Sequence, residues 1–236
     1  INPDVGLTFA NGLRSVLRQD PDIVMVGEIR DQETAELAIQ ASLTGHLVLS
    51  TLHTNSAPAA VPRLLDMGME PYLLASTLRV LAAQRLPRKI CTHCIQAVPA
   101  SPEELKDLVN ELSGIKSFDL VKYLTQVINA KKTKGEEGSA VLKQPEVGPD
   151  GQPIVYIYKG AGCDRCGGSG YSGRIGIFEV LDVTDKISRM IMQNVTAQDI
   201  EKEAKENGMI SMIQDGFLKV LEGITTIEEV LRVSKE

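Results

Sequence analysis

"DPDIVMVGEIRDQETAELAIQASLTGHLVLSTLHT", residues 20–54, decides the fold. Ile23 to Val26 is an apolar run of strand length, too short for a helix. Gly27 and Glu28 follow at its carboxyl end. Asp31 stands where a helix N-cap belongs, Glu33 and Glu36 lie in the first turns, and Gly45 comes just past the end, so 31–45 reads as a helix. "HLVLSTLHT", residues 46–54, is a second buried, β-rich run. Strand, helix and strand at this spacing make a βαβ unit, and with it a parallel sheet of an α/β fold.

Upstream, "LTFANGLRSVLRQ" (7–19) puts Phe9, Leu13, Val16 and Leu17 on one face at helical spacing. Pro21 disfavours helix at the residue before it, so this helix stops near Gln19. Downstream, "SAPAAVPRLLDMG" (56–68) and "EPYLLASTLRVLAA" (70–83) read as helices with proline near the start, where it is tolerated. Helices are also expected over about 102–113 and 117–130. The stretch 131–153 is charged, contains glycine and proline, and lacks apolar periodicity, so it reads as a flexible insertion or linker. Residues 154–183 read as strand, glycine-rich loop and strand, and short helices follow to the end. Three segments result: an α/β part over 1–90, a cysteine-bearing subdomain over 91–173, and a C-terminal strand with a helical bundle over 174–236.

Composition narrows the function. The 236 residues are 43% hydrophobic and 24% charged, as in ordinary globular proteins. The net charge is −6 and tryptophan is absent, which argues against a nucleic-acid partner. No 18-residue apolar run and no signal peptide occur, so the expected compartment is the cytoplasm. The first residue is Ile rather than Met, and the expectation is that a longer parent extends upstream.

Cys91, Cys94, Cys163 and Cys166 form two C-x-x-C pairs and are the only cysteines. A two-residue gap lets both sulfurs of a pair reach one tetrahedral ion, which points to a closed, structural Zn2+ site. Disulfides would have to survive a reducing compartment. His93, inside the first pair, reads as a bystander. The 68 residues between the pairs would have their ends stapled by the metal.

Glu28 lies where ligands of open α/β sheets bind, beyond the carboxyl end of a strand. A carboxylate there orients or deprotonates an attacking water, or holds Mg2+ through water. A surface glutamate capping the next helix fits the local pattern equally. His46 and His53 flank the second strand. In an extended segment they stand about 23 Å apart at ~3.3 Å per residue, and their odd offset points them to opposite faces. His53, at the carboxyl end, is the better candidate for sensing phosphate; His46 reads as structural or interfacial. Arg14 and Arg18 share a helix face and could reach phosphate or form a solvated stripe. Arg30, Arg63, Arg79 and Arg85 cannot be ranked by spacing.

"LRSVLRQDPDIVMVGEIRDQETAELAIQASLTGHLVLSTLHTNSAPAAVPRLLDMG" closely resembles the Walker B and His boxes of the secretion ATPases that drive type II secretion and type IV pilus assembly. "LRVLAAQRLPRKIC" with the two cysteine pairs is similar to the zinc-binding region of the same family. The cysteines favour the assembly or type II secretion branch over pilus retraction. The resemblance implies a hexameric, RecA-like motor that binds ATP, Mg2+ and Zn2+ and acts on an inner-membrane platform protein from the cytoplasmic side. It implies Glu28 as the catalytic carboxylate, His53 beside the γ-phosphate, and His46 and Arg18 as further nucleotide contacts. The phosphate loop of this family lies upstream of "NPDVGLTF", and no G-x-x-x-x-G-K-[ST] occurs in these residues. The chain alone is therefore expected not to hydrolyse ATP. Two rival readings are a chaperone-like zinc module, from "CDRCGGSG", and a platform-docking interaction module.

Overall fold

The structure, a computed structural model, describes residues 8–148 and 153–234. In chain order, the first elements are α1 (Phe9–Leu17), β1 (Ile23–Val26), α2 (Gln32–Leu43), β2 (Leu47–Ser50), α3 (Ala60–Asp66) and α4 (Pro71–Thr77). Then come β3 (Val80–Arg85), β4 (Arg88–Ile90), β5 (Ile95–Pro99), α5 (Pro102–Leu112) and α6 (Leu120–Lys134). The strands β6 (Glu146–Val147), β7 (Pro153–Ile154), β8 (Tyr156–Gly160), β9 (Tyr171–Arg174) and β10 (Ile177–Asp182) follow. The last elements are α7 (Asp185–Met192), α8 (Ala197–Glu206), α9 (Met212–Leu221) and α10 (Ile227–Ser234). They gather into two compact units, one of residues up to Ala83 with Val180–Met209, the other of Gln84–Glu179 with Ile210–Glu236.

In the first unit β1 and β2 pair in parallel, from Ile23↔Leu47 to Val26↔Ser50, with α2 as the crossover. The helix starts at Asp31, whose carboxylate accepts from Thr34 N at 2.8 Å and from its hydroxyl at 3.1 Å. It ends before Gly45, whose φ of +99° a β-carbon would resist. Leu13, Val24 and Val26 form the buried cluster under this sheet, with Leu17, Ile29, Leu37 and Val48 packed against it. Small buried residues on α2, namely Thr34, Ala35, Ala38 and Ala41, let it approach closely. The opposite sheet face carries Ile23, Met25, Leu47 and Leu49, all exposed. Val16 was expected on the packed face of α1, but it is 48% exposed. Leu13 and Leu17, four apart, make the contact row, and Val16 falls to its side. Leu7, where that helix was expected to begin, lies outside the described residues.

The helix expected over 70–83 stops at Thr77. Leu78 is extended (φ −66°, ψ 133°), and the chain re-enters as β3, which pairs with β10. A partner so distant in sequence overrides the local helical pattern. α7 packs on α4 and buries Ile187 and Ile191, while α8 buries Ile200 and Ala204.

The second unit is built on two antiparallel pairs, β5 with β8 (Ile95↔Gly160 to Pro99↔Tyr156) and β4 with β9. α5 begins with a capping box between Ser101 and Glu104 and buries Leu108 and Leu112. α6 buries Leu124 and Ile128 and ends at Gly135 in the left-handed region. α9 and α10 pack together, with Val220, Leu221 and Val230 buried. Two expectations are corrected here. The stretch 131–153 is not one flexible linker: Lys131–Lys134 close α6, Ser139–Val141 form a 3-10 turn, and Leu142 is buried. A single anchor of this kind leaves no periodicity to read. Residues 149–152 lie outside the described ones. The C-terminal helices, expected as one bundle, divide: α7 and α8 join the first unit, α9 and α10 the second. Among the described residues no helix is long and apolar enough to cross a membrane.

Candidate functional site

Glu28 leaves β1 two residues after its last paired position, Val26. Its side chain is 17% exposed. Because β2 is the parallel neighbour of β1, His53 emerges at the same end of the sheet, and its Nε2 lies 2.5 Å from Glu28 Oε1. The approach does not align an N–H donation, so Oε1, shielded from solvent, accepts no hydrogen bond from the described residues. The other oxygen, Oε2, accepts from Arg30 Nε at 2.5 Å. His53 is 86% exposed, so its ring stays open on the side away from Glu28. The site thus presents a carboxylate held on both sides, Oε2 by Arg30 and Oε1 against the His53 imidazole. Arg30, which spacing could not rank, meets Glu28 from two residues further along the chain.

Thr51, the first residue after β2, was missed entirely. Its hydroxyl donates to Gly27 O at 2.6 Å, and its carbonyl accepts from Ile29 N at 3.0 Å. His46 is not brought to this end. Its Nδ1 lies 2.9 Å from Ala41 O and 3.1 Å from Thr44 Oγ1, at the last turn of α2 and the incoming end of β2. Arg14 bonds Glu33 at 2.7 Å and ties α1 to α2. Arg18 is exposed at the end of α1.

In the second unit the four cysteine sulfurs lie within 4.8 Å of one another. Cys91–Cys163 and Cys94–Cys166 stand 3.9 Å apart, and Cys163–Cys166 3.7 Å. The edge of a tetrahedron with ~2.3 Å zinc–sulfur bonds is about 3.8 Å, so the donor set fits zinc. A disulfide would need about 2.05 Å. Backbone N–H groups of Cys163 and Gly170 donate to Cys166 Sγ at 3.1 and 3.3 Å and hold its thiol down to about 6, Cys163 contributing most. Burial pushes the Cys94 thiol up. Gly162, at φ +87°, would set a β-carbon 2.6 Å from Gly168 O, so the knuckle needs glycine there. His93 stands outside the sulfur cluster, 2.6 Å from Arg165 Nη1 and 3.3 Å from Glu137.

Behind the cysteines, α10 is knotted to β4. Glu229, 2% exposed, accepts from Arg88 N (2.9 Å) and Arg88 Nη2 (2.7 Å), and from Arg232 Nε (3.1 Å) and Nη2 (2.9 Å). Arg232 first, then Arg88, holds its carboxyl well below the usual range despite burial. Arg88 also stacks 4.3 Å over Tyr171, and Ile90 N donates to Ile224 O at 2.8 Å.

A family model described as type II/IV secretion system protein matches residues 1–232. The chain belongs to this family. Its relatives there include the type IV pilus assembly ATPase PilB of Thermus thermophilus, 43% identical over 231 residues, which span 98% of this chain and 22% of that protein. The type II secretion system ATPase E of Vibrio cholerae is 43% identical over 236 residues, 100% of this chain and 39% of that protein. The chain therefore spans well under half the length of these relatives. Among solved structures, the pilus retraction motor PilT with bound ADP matches with a TM-score of 0.57 at 22% identity, over 98% of this chain and 44% of that one. The Legionella pneumophila ATPase DotB matches with a TM-score of 0.56 at 18% identity, over 98% and 43%. These two likenesses establish the α/β fold.

Proposed function

We propose that this chain is the Walker B and zinc-bearing part of a RecA-like motor ATPase that powers type IV pilus assembly or type II protein secretion. One observation carries the reading. A carboxylate and an imidazole meet at the carboxyl ends of two neighbouring parallel strands, in a family whose relatives are named as ATPases of those machineries. Ligands of open α/β sheets bind at that end. ATP with Mg2+ supplies the transferable phosphoryl group and the neutralising cation when bound. Glu28, with His53 against Oε1 and Arg30 against Oε2, orients a water and takes its proton. Arg30 holds Oε2 and so helps to fix the carboxylate in place. His53 offers its exposed ring to the terminal phosphate, and Arg18 reaches phosphate in its own or a neighbouring subunit. His46 serves the junction of α2 and β2 instead.

The four cysteines hold Zn2+ and fasten the segment between them to β4 and β8. In the longer parent the motor is a hexamer. It acts from the cytoplasmic side on an inner-membrane platform protein, and nucleic acid has no part. The test compares Mg2+-dependent ATP turnover by these 236 residues with that of the full-length protein that carries them. Turnover is expected from the full-length protein and none from the chain alone, which contains no phosphate loop. Turnover by the isolated chain, or its absence from the full-length protein, contradicts the reading.

A further inference from the structure

The parallel ladder between β1 and β2 ends at Val26↔Ser50, two residues short of Glu28, and Thr51 continues the connection. Its carbonyl accepts from Ile29 N at 3.0 Å, and its hydroxyl donates to Gly27 O at 2.6 Å. One residue therefore grips the chain immediately before and immediately after the carboxylate. The hydroxyl supplies the donor that a regular ladder would take from a backbone N–H. We propose that Thr51 is a positioning residue for Glu28: its side-chain hydroxyl sets the placement of the carboxylate without touching substrate.

This rests on Glu28 being the catalytic carboxylate. Without the hydroxyl, the Gly27 carbonyl loses this partner, and of the two Thr51 bonds to residues 27–29 only the backbone one remains. Misplacing a catalytic group by about 1 Å costs on the order of 10²-fold in rate. Valine reproduces the shape of threonine without the donor, and serine keeps the donor while losing the methyl group.

The experiment measures kcat and KM for ATP in the full-length protein that carries this chain, for the native form, Thr51→Val, Thr51→Ser, Glu28→Gln and the double variant Thr51→Val/Glu28→Gln. Thr51→Val is expected to lower kcat roughly 10- to 100-fold with KM within about twofold of native. Thr51→Ser should keep at least about half of kcat, and Thr51→Val should cost nothing further on the Glu28→Gln background. Thr51→Ala serves as a second hydroxyl-free variant should valine not fold. The proposal is overturned by native kcat in the hydroxyl-free variants, by equal losses in valine and serine, by a loss confined to KM, or by full additivity with Glu28→Gln. The Glu28→Gln arm by itself judges the underlying reading: a native rate there removes Glu28, whereas a slow rate with an active Thr51→Val removes only Thr51.

Discussion

Replacing Glu229 by glutamine should destabilise the second unit, and by an amount that depends on pH. Four hydrogen bonds from Arg88 and Arg232 converge on this buried carboxylate. Glutamine keeps the shape but removes the charge and turns an NH2 donor toward donors. Breaking a buried pair costs about 3–5 kcal/mol. Both guanidiniums here are about half exposed, at 47% and 46%, and water recovers part of their interaction. The lower end, about 3 kcal/mol, is therefore expected at pH 7. For a body of this size that lowers the melting temperature by roughly 10 °C.

The pH dependence has a definite sign. The folded carboxyl titrates below its unfolded value of about 4.3, so the folded state binds fewer protons than the unfolded one. Its contribution is complete above about pH 5 and fades as pH falls toward the depressed folded value. The assay is urea unfolding of the native and Glu229→Gln chains from pH 7 down to pH 3. The difference between the two proteins at each pH cancels every other titrating group, the cysteines included. That gap should be about 3 kcal/mol at pH 7 and shrink steadily below pH ~4.5. A gap that stays constant with pH, or no gap at neutral pH, would show that the Glu229 charge does not stabilise this unit.

Two further outcomes concern the cysteine module. The purified protein should contain about one zinc ion per chain, and Cys94→Ser should abolish it and lower the melting temperature by more than about 10 °C. Elemental analysis finding no zinc in native protein handled without chelator would contradict this. Gly160→Ala should be as harmful as losing a ligand, because its β-carbon would lie 2.0 Å from Gly170 O, the same carbonyl that accepts from Cys91 N at 2.9 Å. A loss of roughly 3 kcal/mol with reduced zinc content is expected, and native melting and zinc content in the alanine variant would count against it.

The parts legible in the sequence were those fixed by local chemistry. Asp31 and Gly45 bracket α2 through their own caps, and the short apolar runs on either side force a parallel pair. Once that pair exists, Glu28 and His53 must emerge at one end and His46 at the other, so their separation followed from strand geometry. The cysteine spacing told of one cluster because a knuckle is a local device. What stayed hidden depends on partners far along the chain. β3 looks helical until β10 claims it, and Arg88 meets Glu229 across 141 positions. Thr51 was invisible for another reason: its role lies in which backbone atoms it meets, and a threonine after a strand carries no such signature.

The proposed role of Glu28 is to handle the attacking water in ATP hydrolysis. Its most direct test is the single-turnover rate of ATP cleavage by full-length protein carrying Glu28→Gln, with nucleotide binding measured in parallel. A rate lowered by roughly 10²–10⁴ with binding retained is expected. Cleavage at the native rate would contradict it.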